Sequence, residues 1–552
     1  MSVKKAVCVT FFALFFFSLT IVSFLGICFA TGPCPALPPP TGTTVTADSE
    51  EAIWNAVNAA TSGTTILIAD GTYNLGAKGY YLWIDTPNVT LRSAGGRRDS
   101  VIFDDNYSRS EIITIAASNV TIADVTLKRA GTHPIHVVST IGGDTLNTLI
   151  YNVHIVDPGQ QAIKINPHSN PVHFTDDGVV ACSTIELTDA GRAKVWELNS
   201  SCYTGGVDGH QSRGWVIRDN IIKGFWCPQG LSEHGVHFWT GSRDTIVERN
   251  WLINNTRGIG FGLRESGSGR TYGDDPCPDA SGHVGHFDGI IRNNFIFAGR
   301  DELFASQYGA DGGIALAQAC GVQVLHNTAA FTQSPFAAME YRFSNTDADL
   351  INNLVTHNLM DRGGTAVLSG NLSDQPLSLF VDGLNGDLHL KSSADAAINQ
   401  AVAIAAGLCD DDFDNQSRPV GTSRDIGADE YQSGSTNTAP VAIDQWVDVE
   451  ENATEFPITL AGSDADGDEL TFTVTSGPAN GAVSGTAPNL FYTPSTGYNG
   501  DDRFSFQVND GLLSSVDATV YITVQASDSD GDGDSDNNNG NGGGCLIGSA
   551  RR

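Results

Sequence analysis

Six short segments alternate apolar and polar residues and place ionisable or aromatic side chains at matching positions: PIHV, AIKIN, GVHFW, GIGFG, GIALA and AMEYR. With a period of two, Ile135, Ile163, Val236, Ile259, Ile314 and Met339 point to one side, as do Val137, Ile165, Phe238, Phe261, Leu316 and Tyr341. The other side carries His136, Lys164, His237, Gly260, Ala315 and Glu340, then Val138, Asn166, Trp239, Gly262, Ala317 and Arg342. Small residues leave a shallow trough between His237 with Trp239 and Glu340 with Arg342. An indole there can stack on a pyranose ring, and Lys164, His237 and Arg342 can meet a carboxylate or sulfate group.

Elimination from a uronate needs a base for the proton at C5 and a cation or hydrogen bond for the anion that forms. Lys164 or His237 is the expected base. Arg257, Arg264, Arg342 or a bound Ca2+ ion is the expected neutralising charge, with Asn166, Trp239, Gly260, Gly262, Arg264 and Glu265 lining the substrate path. If these segments are adjacent strands, the Lys164 and His237 backbones stand about 5 Å apart. Hydrolysis instead needs two carboxyls roughly 5 to 9.5 Å apart. Glu340 is the one carboxylate of the ladder, and Glu233, Glu265 or Asp288 would have to approach from loops, so elimination ranks first. Non-catalytic carbohydrate binding on the same trough is the other expectation, and outward polar residues also suit a merely solvated sheet. GIGFG lies in a strand with no helix after it, unlike a nucleotide loop.

These segments recur because the chain repeats. IADVTL, LIYNVHI, VIRDNII, IVERNWLI, IIRNNFI, VLHNTAA and LINNLVT carry marker residues Asp124, Asn152, Asn220, Asn250, Asn294, Asn327 and Asn353. Stacked coils about 4.8 Å apart let each amide bond the next. Two ladders in one register predict an all-β protein, a right-handed single-stranded parallel β-helix, over residues 31–432. Helical patterns are confined to residues 50–60, a cap for the first coil, and a short piece at 394–408. The two longest insertions, from residue 166 to about 210 and from 264 to about 288, bring His173, Asp208, His210, His283, His286 and Asp288 beside the trough.

TTILIADGTYNL at residues 64–75 resembles the opening coil of pectate-lyase-like β-helix proteins, and LHLKSSADAAINQ with RDIGADEY resembles a common end of bacterial β-helix domains. The resemblance brackets residues 45–431 and implies fold rather than activity. The Asn-Thr-Asp, Gly-His-Gly and Arg-Ile-Lys set of polygalacturonases is missing, and no pectate-lyase arginine motif stands out.

SGSTNTAP opens a linker at 433–440, and VAIDQWVDVEEN, SDADGDELTFTV, YTPSTGYNGDDRFSFQVNDG and ATVYITV resemble the cadherin-like repeat of bacterial surface proteins. That resemblance implies a small β-sandwich over 441–525, with calcium at an acidic edge matching Glu450, Asp464, Asp466, Asp468 and, more weakly, Asp502. The Asp/Gly-rich tail at 526–552 alternates Asp528, Asp530, Asp532, Asp534 and Asp536 with Ser and Gly. It resembles calcium loops of thrombospondin type 3 repeats and otherwise suits disorder.

Lys4 and Lys5, an apolar run and a small-x-Ala site ending at Ala30 read as a signal peptide over 1–30. The run is also long enough to be an uncleaved anchor. The protein is therefore expected outside the cytoplasm, as a secreted, surface-held or periplasmic monomer with no membrane span after signal removal. A formal charge of −33, or −35 without Lys4 and Lys5, makes nucleic acid an improbable partner and cations or polysaccharide better ones. Eight cysteines remain after such cleavage; Cys182 with Cys202 and Cys227 with Cys277 are candidate staples in irregular segments, and the connectivity stays open because six cysteines already allow 15 pairings.

Overall fold

The computed structural model describes residues 34–168, 172–432, 439–464, 470–510 and 513–525. The proposed signal peptide, Asp466, Asp468, most of the linker and the whole acidic tail, Asp528 to Asp536 included, lie outside the described residues. The chain divides into two compact units, up to Ser433 and from Gly434.

The first unit is a parallel β-helix. Three sheets run along it, each strand pairing in parallel with its equivalent one coil away. The first sheet begins at Thr44–Ala47, and the helix Glu50–Asn58 follows at once, capped by the Ser49 side chain on Ala52 N. Ile53, Ala56 and Val57 of that helix are buried against the first coils, which closes the apolar interior at that end. The second sheet has the order Leu82–Ile84, Ile113–Ile115, Ile135–Val138, Gln161–Asn166, Gly205–His210, His234–Trp239, Arg257–Phe261, Gly312–Ala317, Ala337–Arg342 and Leu359–Arg362. Its inward residues Ile135, Ile163, Val207, Val236 and Ile259 are wholly buried. Gly209 has no side chain because the Phe238 ring of the next coil occupies the space a Cβ would need, 2.3 Å away.

The register corrects one expectation. Gly205–His210 is a full strand between Gln161–Asn166 and His234–Trp239, with Asp208 paired to Lys164 on one side and His237 on the other. Residues 166–210 are thus not a simple insertion. They hold a complete coil, with Val179–Ala181 in the first sheet, Thr184–Glu186 in the third, and the helix Asp189–Asn199 added before the Gly-rich strand. Lys164 and His237 stand two strands apart.

The asparagine ladder runs from Asn220 through Asn250, Asn294, Asn327 and Asn353 to Asn371. Each side-chain amide donates to the carbonyl oxygen of the next at 2.9 to 3.0 Å. Ser183 occupies the same position in the preceding coil, and its backbone N–H donates to Asn220 Oδ1. Asp124 and Asn152 sit one residue earlier, at the left-handed turn position with φ of 55° and 49°, where Asp219, Asn293 and Asn352 also stand. They bond to each other, Asn152 Nδ2 donating to Asp124 Oδ1 at 2.8 Å, in the turn row beside the main ladder.

The segment before the first coil lies along the outer face of the first sheet. Cys34 is bonded to Cys182, the Tyr151 hydroxyl donates to Pro35 O, Arg92 donates to Pro38 O, and Leu37 packs on Ala123, Tyr151 and Ala181. Among the described residues the other disulfides are Cys202–Cys227 and Cys277–Cys320. The candidate pairs fail because Cys202 and Cys227 bracket a single turn of the solenoid, Cys182 faces this N-terminal segment, and the loop holding Cys277 closes onto the strand Ala319–Leu325. Cys409 is free and buried.

Beyond the last coil, residues 371–431 fold back over the third sheet and bury Phe295, Phe297 and Leu354 with Phe380, Leu388 and Ile426. Residues 394–408 form turns rather than a helix, which puts Ala394 and Ala397 into this cluster. Buried Arg418 donates to the carbonyls of Asp425 and Gly427. Burial, reinforced by Asp414, pushes the Asp412 carboxyl up to about 7.

The second unit is a β-sandwich. Gln445–Glu450, Ala518–Gln525, Gly500–Asn509 and Thr471–Ser476 form one sheet, and Phe456–Thr459, Asn489–Pro494 and Gly481–Thr486 the other. All pairs are antiparallel except the first, Gln445–Glu450 with Ala518–Gln525. Tyr492, Phe504, Phe506, Val520 and Ile522 fill the space between the sheets.

In the β-helix, Asn294→Ala removes an acceptor from Asn250 and leaves buried backbone groups unpaired, so it should lower the unfolding free energy by roughly 3 kcal/mol in denaturant titration. Asp412 is protonated in the folded chain at pH values where the unfolded chain has released that proton. Its contribution is complete below the ordinary 3.8 and lost as pH rises through about 7. Asp412→Asn should therefore gain melting temperature relative to the parent across that window, and a difference independent of pH would contradict this.

Candidate active site

The inserted strand rearranges the outward face of the second sheet around one buried ion pair. Lys164 comes from Gln161–Asn166 and Asp208 from the adjacent Gly205–His210, and Lys164 Nζ donates to Asp208 Oδ2. The same ammonium lies 2.8 Å from His210 Nε2, and the Tyr203 phenol lies against it. Burial works against the Lys164 charge, but Asp208 outweighs it and raises the amine above its ordinary range. Burial likewise opposes the Asp208 charge, yet Lys164 and His210 hold that carboxyl well below the usual range. Lys164 therefore stands as an ammonium, which corrects its expected role as the resting base.

Asp208 Oδ1 accepts a 3.0 Å hydrogen bond from Trp239 Nε1. The indole is thus keyed to the ion pair. It meets the His210 ring edge-on at 4.5 Å, and the Arg264 guanidinium lies 5.5 Å over its ring. Tyr203 is 37% exposed, while His210 and Trp239 are half-buried. This group therefore reaches solvent although Asp208 does not.

His237 does not serve as expected. It is fully buried beneath Trp239, ring parallel to ring within 7°, and its Nε2 faces Gly262 O at 3.1 Å. It cannot reach a substrate proton without the indole moving. Gly260 and Gly262 do not form an open floor either. The His234 imidazole fills the space above Gly260, 2.5 Å from where a Cβ would stand, and Gly262 is buried with its Cβ direction blocked by Ala317 O. Burial first, and then the neighbouring charges of His237, Arg257 and Arg342, hold the His234 pKa well below its ordinary value.

The remaining expected residues form their own pairs. Glu340 is buried, bonded by Arg362 at 2.7 Å and 3.5 Å from Arg342, whose Nη2 donates to Leu263 O. Arg257 pairs with Asp311 at 2.5 Å. Asn166 Oδ1 accepts from His136 Nε2 at 2.7 Å, while His136 Nδ1 faces Glu111 at 2.8 Å. Burial opposes the Glu111 charge, but His136 holds that carboxyl down to about 2. Glu265 is exposed, and its backbone carbonyl accepts from Gln318.

Sequence reasoning missed Tyr203 and the pairing of Asp208 with Lys164. The signal was faint: GGVDGH lacks the inward bulk of its neighbours, and its coil carries Ser183 where the coils after it have Asn. Once Val179–Ala181 is aligned with Val216–Arg218, Asp208 falls into the Lys164 row.

In the sandwich, Glu450 ends an exposed strand edge and Asp464 follows Gly462–Ser463. Asp502 corrects the expected calcium set. It is buried and accepts from the backbone of Ala479 and Asn480 and from the Tyr492 hydroxyl, so its oxygens brace the fold.

Residues 437–523 match the family described as bacterial Ig domain, where the sequence alone was likened to a cadherin-like repeat. No curated protein matches the chain. Among solved structures, an alginate lyase from Paenibacillus sp. str. FPU-7 is 13% identical, covering 60% of this chain and 98% of its own, with a TM-score of 0.39. The PL6 family polysaccharide lyase Pedsa3628 from Pseudopedobacter saltans is 9% identical, covering 65% of this chain and 100% of its own, with a TM-score of 0.28. At these scores the likenesses carry no weight for activity, and the parallel β-helix stands on this chain's own strand order.

Proposed function

We propose that the β-helix cleaves a uronate-containing polysaccharide by β-elimination at Lys164, Tyr203 and His210. The observation that carries this reading is the ammonium of Lys164, kept charged by buried Asp208 while it touches an imidazole and a phenol beside Trp239. In the resting site the ammonium occupies the His210 Nε2 lone pair. A uronate carboxylate draws the ammonium toward itself, which neutralises the substrate charge and frees His210 to take the proton from C5. The C4–O4 bond breaks, its electron pair leaves with O4, and the Tyr203 hydroxyl supplies the proton to that oxygen. The C5–H electron pair becomes the C4=C5 double bond. Trp239 and Arg264 hold a neighbouring sugar by stacking and charge.

Hydrolysis fits less well. Asp208 and Glu233 both approach His237 Nδ1, at 3.6 and 3.4 Å, but both Asp208 oxygens are already engaged, Oδ2 by Lys164 and Oδ1 by Trp239. Glu340 is held between two arginines. The three disulfides among the described residues support an oxidising compartment and hence export.

The test is incubation with a panel of uronic-acid polymers, following the ultraviolet absorbance of the unsaturated product. His210→Ala and Lys164→Ala should each lower kcat/KM by about 100-fold or more, and Tyr203→Phe should lower kcat more than it raises KM. If no polymer yields unsaturated or reducing ends while binding persists and depends on Trp239, the β-helix is a carbohydrate-binding protein instead.

For the sandwich, the reading is a calcium site at Glu450, Asp464, Asp466 and Asp468, supported by the spacing of these carboxylates around Gly-containing turns. Chelator should lower the melting temperature of the sandwich transition. An unchanged transition would sink the calcium reading.

A further inference from the structure

Behind Asp208, three side chains that the elimination does not use converge on one point. Glu233, His234 and His237 each offer one ligand atom, and these atoms lie within 4.8 Å of one another. His234 is 3% exposed and His237 fully buried. Glu233 Oε2, His234 Nδ1 and His237 Nδ1 are all buried without a hydrogen-bond partner. His237 Nε2 donates to the Gly262 carbonyl at 3.1 Å, and its Nδ1 faces Glu233 at 3.4 Å and Asp208 Oδ1 at 3.6 Å. Two carboxylates converging on one imidazole nitrogen need a positive charge among them, which either a proton on Nδ1 or a metal ion supplies, and His234 Nδ1, unpartnered beside them, adds a donor that only a metal ion uses.

The geometry points to a divalent zinc-class ion bound by Glu233, His234 and His237, with Asp208 Oδ1 at the edge of its coordination sphere. Two imidazole nitrogens and a carboxylate form a donor set that suits zinc and its transition-metal neighbours better than the all-oxygen shells of calcium or magnesium. Ligands ~2.0–2.1 Å from a tetrahedral zinc stand ~3.3 Å from each other, close to the His237 separations from Glu233 and Asp208. The fold makes room for this set. Gly260 in the next coil leaves the space that the His234 ring fills, and that ring lies 4.4 Å from the His237 ring. The ion braces the back of the site, because His237 stacks under Trp239 and Asp208 holds both Trp239 and Lys164. Its binding is independent of the elimination reading and is measured without turnover.

The full chain, made without a polyhistidine tag and stripped with chelator, is titrated with Zn2+ by calorimetry and with Co2+ by visible absorption. One zinc per chain is expected at this site, with Glu233→Gln and His234→Gln each weakening it at least 100-fold and His389→Gln leaving it intact. X-ray absorption on the zinc-loaded parent chain should count two imidazoles, which needs no variant to fold. The proposal is overturned if the parent chain binds no zinc at stoichiometry. It is also overturned if the shell holds one imidazole or none, if both well-folded variants bind as the parent does, or if binding follows His389 with Asp414 and Asp429, the other His-and-carboxylate cluster among the described residues.

Discussion

Everything in the β-helix depends on parallel pairing between successive coils. Each strand takes its backbone hydrogen bonds from the strand one coil before and one coil after, so a side chain's neighbours are set by coil count and not by distance along the chain. Lys164 and Asp208 are 44 residues apart and yet adjacent. The ladder from Asn220 to Asn371 enforces this register, since a coil slipped by one residue would bury an unmatched amide. Inward Val, Ile and Phe stack in the same register, so the polar and apolar ladders favour the same arrangement.

That logic explains what could be read from the sequence. Strands such as AIKIN and GVHFW announce themselves because inward bulk and outward polarity alternate, and their register is visible by eye. GGVDGH does not, because Gly209 has given up its inward side chain to the Phe238 ring, and Ser183 stands in for asparagine. Losing one coil shifted the whole site. Lys164 and Trp239 were legible as surface chemistry, whereas the group that joins them, Asp208, fell in an apparent loop. The outward trough failed for a related reason: glycine in one coil signals a large neighbour in the next as readily as an open floor, and His234 is that neighbour at Gly260. Disulfide partners were illegible because proximity in a solenoid runs across coils.

The electrostatics of the site follow from how deep Asp208 lies. A carboxylate so thoroughly removed from water is tolerable only when cations and donors surround it, and Lys164 and Trp239 supply them. Asp208 and Trp239 are thereby placed before any substrate arrives, and the Lys164 ammonium is held charged beside the point where the substrate carboxylate would draw it. The overall acidity of the chain does not enter this local balance.

The strap of residues at Cys34 to Pro38 gives the β-helix an unusual load path. A solenoid pulled from its first coil unzips, since its strands detach in succession. Here a pull on the residues ahead of Cys34 passes through the bond to Cys182 into the coil of Val179–Ala181, several coils along the axis. The coils beneath the strap are bypassed, and the covalent link loads the sheet from its side, where many parallel strands share the force. The first coils are shielded from tension although they lie nearest the end on which it would act.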